Sequence, residues 1–200
     1  MKRNLLRAAV ITAAACGLAA PASAQSQCFD FSGTVPAQRY TVGDSLNVRH
    51  ATVTFRQYFT NGNPATAEAR HAEAGQTQIA GGAPPELGLY LIGMQIRPNQ
   101  PVTRLRLRVA QSISSTGGFA NANIEVNGER HESPSGFRGM DGKTIGRPAQ
   151  GRVQIRSSMA PHGDGNWQNG TLELRAVQGR IETVTLGAHT WRADDVCIEP

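Results

Sequence analysis

The sequence predicts an all-β protein, a two-sheet antiparallel β-sandwich of the jelly-roll type with at most one short helix. Apolar and polar residues alternate with period two in most segments, long helical patterns are missing, and 22 glycines and 11 prolines interrupt the chain. About nine to eleven short strands are expected, and in one sheet that number would leave long exposed edges, so two packed sheets are predicted.

Five segments carry the alternation that predicts half-buried strands. In HATVTFRQYF, the residues Ala51, Val53, Phe55 and Phe59 fall on one face. In VTRLRLRVA, two leucines and a valine oppose a row of arginines. One apolar and one polar face are typical of antiparallel sheets with a solvated side. The remaining segments direct these residues inward: Ile124 and Val126 in NIEVNGER, Val153 and Ile155 in GRVQIRS, and Leu172 and Leu174 in GTLELRAV.

In the stretch LGLYLIGMQIR, the alternating apolar residues move from odd-numbered to even-numbered positions. Leucines alternate from Leu87 to Leu91, and apolar residues continue from Ile92 to Ile96 on the opposite parity. This pattern predicts a central strand with a bulge near Gly93, or a strand that is covered on both faces.

Four dipeptides supply the positive backbone φ angles that tight turns require. We therefore expect turns at these positions: Asn61-Gly62, Asn127-Gly128, Asp141-Gly142 and Asn169-Gly170.

Residues 60–86 have no strand-like period, and we expect a long loop there. Its middle, from Ala65 to Ala74, has the composition of a short helix but no large apolar residue to bury. Structureless runs of this length are uncommon inside a compact domain, so the segment is either a surface loop or a lid that faces a ligand.

Residues 1–24 have the features of a secretory signal peptide. Lys2, Arg3 and Arg7 precede an apolar, alanine-rich run, and PASA ends the segment with small residues. The alternative, a lipoprotein signal cleaved before Cys16, fits less well because Ala13 stands where such signals usually have leucine. We expect a periplasmic or secreted protein with no membrane span, and a single β-sandwich domain over residues 25–200.

Without the signal, the chain keeps 17 basic and 15 acidic residues, a net charge of about +2. Lys143 is the only lysine left, and the arginines are dispersed. This mild basicity predicts no nucleic-acid partner.

Two cysteines, Cys28 and Cys197, remain after the signal is removed. An even pair in an exported protein predicts a disulfide, and here it would link the two ends of the domain. The alternative is two buried free thiols.

The sequence offers little support for an enzyme. It contains no GxSxG, HExxH or GxxxxGK[ST] motif, and its five histidines lie far apart. We expect a non-catalytic protein. A hydrolase with two carboxylates from distant strands is the less favoured alternative.

The loop MAPHGDGNWQNG has the residue types of a sugar-binding site. Trp167 offers a ring for stacking, and Asp164 and Asn166 offer hydrogen-bonding partners for hydroxyl groups. The alternative, which we favour, is an ordinary hairpin loop whose tryptophan caps the sandwich.

Arg104, Arg106 and Arg108 share one face of a predicted strand. Such a row has the chemistry to bind carboxylates or sulfates of an acidic polysaccharide. We favour the alternative, in which glutamates of neighbouring strands such as Glu125 or Glu173 offset the charge.

The closing segment TWRADDVCIEP carries Asp194 and Asp195, which cannot both face the core of a regular strand. If the disulfide forms, Asp30 comes close to them. Three acids at one edge predict either a structural calcium ion or a cluster paired with arginine, for which Arg192 is adjacent.

Four motifs together resemble exported jelly-roll domains of the galactose-binding-like, carbohydrate-binding-module group. They are CFDF near the start, GG…NANIEVNGE in the middle, GTLEL later and ADDVCIE at the end. The resemblance implies a two-sheet sandwich, a structural calcium near the terminal strands, and glycan binding on loops or on a concave sheet face.

From these observations we expect an exported binding or accessory domain for a cell-surface or matrix glycan. The alternative is a structural or assembly protein of the cell envelope that binds a protein partner and no sugar.

Overall fold

A computed structural model describes residues 25–34, 37–60, 62–64, 71–75, 78–82, 85–113, 121–163 and 165–200. The predicted signal peptide (1–24) and Asp164 lie outside these residues. Within the described part, no helix has the length and apolar character needed to cross a bilayer.

The described residues form strands and one short 3-10 helix, Phe137–Met140. The strands are β1 (Gln27–Phe29), β2 (Arg39–Tyr40), β3 (Ser45–Val48), β4 (Ala51–Gln57), β5 (Phe59–Thr60), β6 (Asn63–Pro64), β7 (His71–Gly75), β8 (Glu86–Tyr90), β9 (Ile92–Pro98), β10 (Arg104–Ser112), β11 (Ala122–Val126), β12 (Glu129–Ser133), β13 (Thr144–Ile145), β14 (Arg152–His162), β15 (Trp167–Gln178), β16 (Val184–Ala188) and β17 (Thr190–Glu199).

Two antiparallel sheets form the sandwich. Sheet A has nine strands in the order β13-β14-β15-β10-β17-β8-β7-β2, with β1 also paired to β17, and sheet B has six in the order β12-β11-β16-β9-β4-β3. The chain changes sheets between β2 and β3, β8 and β9, β9 and β10, β10 and β11, β12 and β13, β15 and β16, and β16 and β17. It also leaves sheet B after β4, forms the separate pair β5-β6, and enters sheet A at β7. The predicted all-β, two-sheet antiparallel fold is confirmed.

The core lies between the sheets and is built from the inward residues of each alternating strand. Leu105, Leu107 and Val109 of β10 are fully buried, as predicted. The largest buried side chain is Trp191, which packs edge-on against Phe137 and donates its indole N–H to the Ile92 carbonyl. Burial of the tryptophan therefore leaves no polar atom without a partner.

The parity change in LGLYLIGMQIR has a different cause from the predicted bulge. Residues up to Tyr90 belong to β8 in sheet A, and those from Ile92 belong to β9 in sheet B. Leu91 makes the crossing with a φ of 51°. The pattern therefore comes from two consecutive strands, β8 and β9, which lie in opposite sheets and each direct apolar residues to the core. The prediction of one central strand was wrong.

Two further details differ from the predictions. Asn169-Gly170 is no turn, because both residues lie inside β15. Phe59 is half-buried and lies beyond the end of β4, whereas its neighbour Tyr58 is buried. The Asn127-Gly128 turn is confirmed, since both residues have positive φ and join β11 to β12.

The expected loop over 60–86 is corrected at one point. His71–Gly75 is the strand β7, paired with β2 and β8, and its Ala72 and Ala74 are buried. The pattern was missed because alanine is a small residue with weak strand preference. Residues 61, 65–70, 76–77 and 83–84 lie outside the described part, which leaves the predicted Asn61-Gly62 turn partly outside it.

The predicted disulfide is present. Cys28 of β1 and Cys197 of β17 are directly opposed in the sheet, and their bond links positions 169 residues apart. It ties the first strand of the domain to the last.

Candidate functional site

The described residues of the MAPHGDGNWQNG loop that were predicted to bind a ligand differ in their exposure. Trp167 is half-buried on the outer face of sheet A, and the Arg192 guanidinium lies over its ring at 5.5 Å from the centroid. Asn166 is exposed, and its carbonyl accepts a hydrogen bond from the Ile113 N–H. Asp164 is not among the described residues.

The predicted arginine row is largely neutralised by acids of neighbouring strands. Arg104 pairs with Glu173 at 2.5 Å and with Glu199 at 3.2 Å, and Arg108 pairs with Asp195 at 2.9 Å. Glu173 was the predicted partner, whereas Glu125, the other residue named, lies on sheet B. Arg106 is exposed and has no ion-pair partner among the described residues.

The three acids of the predicted calcium site occupy different surroundings. Asp30 is exposed, and hydrogen bonds from the Ser32 hydroxyl and then the Ser32 N–H lower its pKa. Asp195, at φ 45°, sits at a bulge in the β10–β17 pairing and pairs with Arg108. Asp194 is fully buried.

Among the residues that the structure describes, no group of three or more Asp, Glu, His or Cys side chains is placed to hold a metal ion. Arg192, the predicted partner of the acids, pairs instead with Glu86 at 3.3 Å. The calcium ion stays a prediction from the sequence.

Asp194 lies beneath residues 78–82, which we call the strap. A Cβ added at Gly82 would overlap the Asp194 carboxylate, so strap and carboxylate are in close contact. One carboxylate oxygen accepts the Asp195 N–H, and the other, Oδ2, accepts no hydrogen bond from the described residues. Burial, aided by the charges of Asp195, Glu86 and Asp30, raises the pKa of Asp194 to about 6 despite the Asp195 N–H.

The strap is held down by polar contacts. The Ala80 N–H donates to Glu86, which is only 1% exposed, and Asn169 donates to the Ile79 carbonyl. This part of the outer face of sheet A is therefore closed by the chain itself.

Sheet B presents a different outer face, on which one row of polar residues crosses all six strands. Each residue is directly opposed to the next across neighbouring strands. In order from β3 to β12, the row is Ser45, Thr54, Gln95, Thr185, Glu125 and Arg130.

The adjacent row contains two glycines at its centre, Gly93 and Gly187, which are directly opposed. The missing side chains leave space for the chain after β4 to cross over the sheet. Tyr58 packs there, with its ring 2.9 Å from where a Cβ of Gly187 would stand. The Tyr58 hydroxyl donates to the Asn121 carbonyl, and the Asn123 amide donates to the Phe59 carbonyl at 2.6 Å.

The crossing segment and the polar row enclose a cleft of about 310 Å³, which we call the sheet B cleft. Its size lies at the lower end of the range for small-ligand sites. It is lined by Arg56, Gln57, Phe59, Gln95, Asn123, Glu125, Arg130 and Thr185.

A chain of hydrogen bonds orders the floor of the cleft. Arg56 donates two N–H groups to the Gln95 side-chain oxygen at 3.1 and 2.8 Å, and the Gln95 amide donates to the Thr185 hydroxyl at 3.3 Å. Because each planar group is held by its neighbour, its orientation is fixed before any ligand arrives.

The wall of the cleft combines an aromatic ring with charge. The Arg130 guanidinium lies 3.9 Å from the centroid of the Phe59 ring. Glu125, opposite Arg130, is half-exposed and has no hydrogen-bond or ion-pair partner among the described residues. The cleft thus offers both donors and a strong acceptor to a polar ligand.

Sequence reasoning missed this site. The row is formed by single polar residues of six strands, and their alignment depends on the register between strands distant in sequence. The one local signal is the placement of Gly93 and Gly187 at outward positions of strands, where glycine often marks close approach of another backbone.

A larger cleft of about 460 Å³ lies between the β1 side of sheet A and β3, the edge strand of sheet B. It is lined by Asp30 and Asp195 together with Arg49 and apolar residues such as Leu46. Its lining contains fewer polar side chains than that of the sheet B cleft.

No family model matches the chain, and the comparisons with curated proteins and with solved structures also gave no match.

Proposed function

We propose that this chain is an exported, non-catalytic binding domain that recognises a short segment of a glycan in the sheet B cleft. The observation that carries the proposal is the convergence of guanidinium, amide, hydroxyl and carboxylate groups beside the Phe59 ring, on a floor ordered by hydrogen bonds. The Cys28–Cys197 disulfide supports export, because such bonds persist in oxidising compartments.

The chemistry of the cleft suits a saccharide. Each sugar hydroxyl both donates and accepts, so a saccharide needs donors such as Arg56 and acceptors such as Glu125 within reach of one another. The part of the Phe59 ring that the Arg130 guanidinium leaves uncovered would provide an apolar surface for the C–H groups of the sugar.

The proposal is tested with a glycan array followed by titration of the best ligand against the full chain, produced with export so that the disulfide forms. Glu125→Ala and Gln95→Ala each remove one polar partner at the cleft. We expect each to weaken binding by about 10- to 100-fold, as hydrogen bonds to charged or pre-oriented groups do.

Two control variants leave the cleft intact. Thr54→Ala changes the same polar row outside the cleft, and Trp167→Ala removes the tryptophan that the sequence had suggested. Both should bind as the unchanged chain does.

Loss of binding in Trp167→Ala with full binding in Glu125→Ala would move the site to sheet A. A chain that binds no sugar at millimolar concentrations but captures an envelope protein would replace the proposal with the structural alternative.

A further inference from the structure

A group of arginines on the outer face of sheet A lies away from the strap and from the sheet B cleft. Arg106 and Arg156 are both directly opposed to Glu173, one from each neighbouring strand. Arg175 is directly opposed to Arg104.

Charge on this face is not balanced. Arg104 is bound by Glu173 and Glu199, and Arg108 by Asp195, so these acids are already engaged. The three remaining arginines are exposed and have no ion-pair or hydrogen-bond partner among the described residues; they are Arg106, Arg156 and Arg175. We call these three the arginine patch.

The patch is held on rigid strands. Neighbouring strands lie about 5 Å apart and alternate residues of one strand about 7 Å apart, so the Cα atoms from which the three side chains extend keep a fixed spacing. Arg175 is directly opposed to Arg104, so the residue across this strand pair offers Arg175 no carboxylate. An anion bound at the patch would supply the negative charge that Arg175 lacks.

A polar groove of about 400 Å³ runs beside Arg156. Gln154, Ser158 and Thr171 line it, together with Ser157, whose buried hydroxyl oxygen has no hydrogen-bond partner. Two carboxylates also line the groove: Asp141, which accepts the Ser157 N–H, and Glu173, which pairs with Arg104. Neutral hydrogen-bonding groups and two engaged carboxylates therefore adjoin Arg156.

We propose that the arginine patch and this groove bind an acidic polysaccharide through its carboxylate or sulfate groups. Guanidinium groups bind such anions through paired N–H donors. The groove supplies partners for the hydroxyl groups that accompany each anion along a polysaccharide. None of the patch or groove residues is aromatic, and nucleic-acid single strands are usually held by stacking of bases on aromatic rings.

This inference does not depend on the sheet B cleft, because the two sites lie on opposite faces of the sandwich. Its test uses two defined polymers, polygalacturonate as the carboxylate probe and heparin as the sulfate probe, with dextran as the uncharged polymer. Affinity is measured by calorimetry at low and at high salt with the full, disulfide-bonded chain.

We expect binding of at least one acidic polymer, weakening as salt rises because exposed charges are then screened. The triple variant Arg106→Gln, Arg156→Gln, Arg175→Gln should lose affinity by about 10-fold or more, the equivalent of about 1.4 kcal/mol. All three residues are exposed, so its melting temperature should stay close to that of the unchanged chain.

The matched control is the triple variant Arg97→Gln, Arg138→Gln, Arg180→Gln. It removes the same net charge from arginines that are equally exposed and unpaired among the described residues. We expect its affinity to fall by less than about threefold, since net charge alone acts weakly through screened solvent.

Equal losses in both triple variants would overturn the proposal in favour of non-specific attraction. Patch-dependent binding of phosphatidylglycerol vesicles or of DNA, without binding of either acidic polysaccharide, would assign the patch to a different partner. Glu125→Ala should bind the acidic polymers normally, so failure of the sheet B cleft and failure of the patch are distinguishable.

Discussion

The outer faces of the two sheets use polar residues in opposite ways. On sheet A, the strap covers Glu86 and Asp194. These two acids occupy outward-facing positions of their strands and are nevertheless buried. On sheet B, the segment after β4 crosses at the edge of the polar row and leaves the row open as a cleft. An outward position in a strand is therefore no guarantee of exposure, since another part of the chain decides what is covered.

The difference has an electrostatic consequence. Under the strap, Arg192 is the cation that pairs with Glu86, and Asp194 is held against Gly82 without a cation of its own among the residues the structure describes. In the sheet B cleft, Arg56 contacts the neutral Gln95 in the presence of solvent. Charges should therefore matter strongly for stability on sheet A and weakly on sheet B. Four experiments test this contrast between the two faces.

The largest effect is expected from Arg192→Met. It removes the cation that pairs with the buried Glu86 carboxylate, and breaking such a pair typically costs about 3–5 kcal/mol of unfolding free energy. Arg56→Met, the matched change on sheet B, should alter stability by less than about 0.5 kcal/mol because Arg56 is exposed. Denaturant unfolding measures both.

A second change separates charge from packing in that experiment. Adding Glu86→Gln to Arg192→Met removes the buried negative charge and should recover part of the lost stability. No recovery, or equal losses in Arg192→Met and Arg56→Met, would contradict the comparison.

The next effect concerns pH. The folded chain holds a proton on Asp194 up to about pH 6, whereas the unfolded chain releases it near the ordinary pKa of 3.8. The folded state thus binds the extra proton between these values, and unfolding free energy falls as pH rises through about 4 to 6. The full difference is about 3 kcal/mol.

Asp194→Asn should remove this part of the pH dependence, since an amide does not titrate. The comparison uses unfolding of both chains across this pH range with a chelator present, so that bound cations do not contribute. Parallel pH profiles for the two chains would show that Asp194 is not the group responsible.

A smaller effect is expected from Gly82→Ala. The new methyl group would overlap the Asp194 carboxylate, so the strap must shift, at a cost of about 1–3 kcal/mol. Hydrogen exchange should be faster in the strap. Gly33→Ala is the control, because nothing lies within 4 Å of its added methyl group. Unchanged exchange and stability in Gly82→Ala would mean that the strap does not rest on Asp194.

The smallest effect is expected from Gly187→Ala on sheet B. Its methyl group would stand 2.9 Å from the Asn123 side-chain oxygen and from the Tyr58 ring, so these two side chains must shift slightly. We expect a loss of about 1 kcal/mol, at the low end for overpacking, measured by thermal unfolding against Thr54→Ala. A loss larger than that of Gly82→Ala would reverse the order of the two faces.

Sequence reasoning succeeded where the signal is local. The alternation in β10 identified its buried face, and Asn127-Gly128 identified a hairpin, because each depends on a few adjacent residues. It also excluded a regular strand in which Asp194 and Asp195 both face the core; in the structure Asp194 points outward beneath the strap and Asp195 sits at a bulge.

It failed where a residue's neighbour comes from elsewhere in the chain. His71–Gly75 pairs as a strand although its sequence favours none, because Ala72 and Ala74 fit against the core beside β8. The two candidate sites were not predicted for the same reason. In the sequence, Arg156 and Glu125 have no feature that marks a site. The strand register places Arg156 opposite Glu173 and Glu125 opposite Arg130.

The all-β class, the two apolar faces and the pair of cysteines available to join the ends follow from strand period and residue chemistry, which are properties of the chain alone. The tertiary structure was needed to show that Leu91 carries the chain from one sheet to the other, that the strap buries Asp194, and that six strands align one polar row. The physical reason is that side-chain alternation follows from each strand's own geometry, whereas register and coverage follow from the packing of segments far apart in sequence.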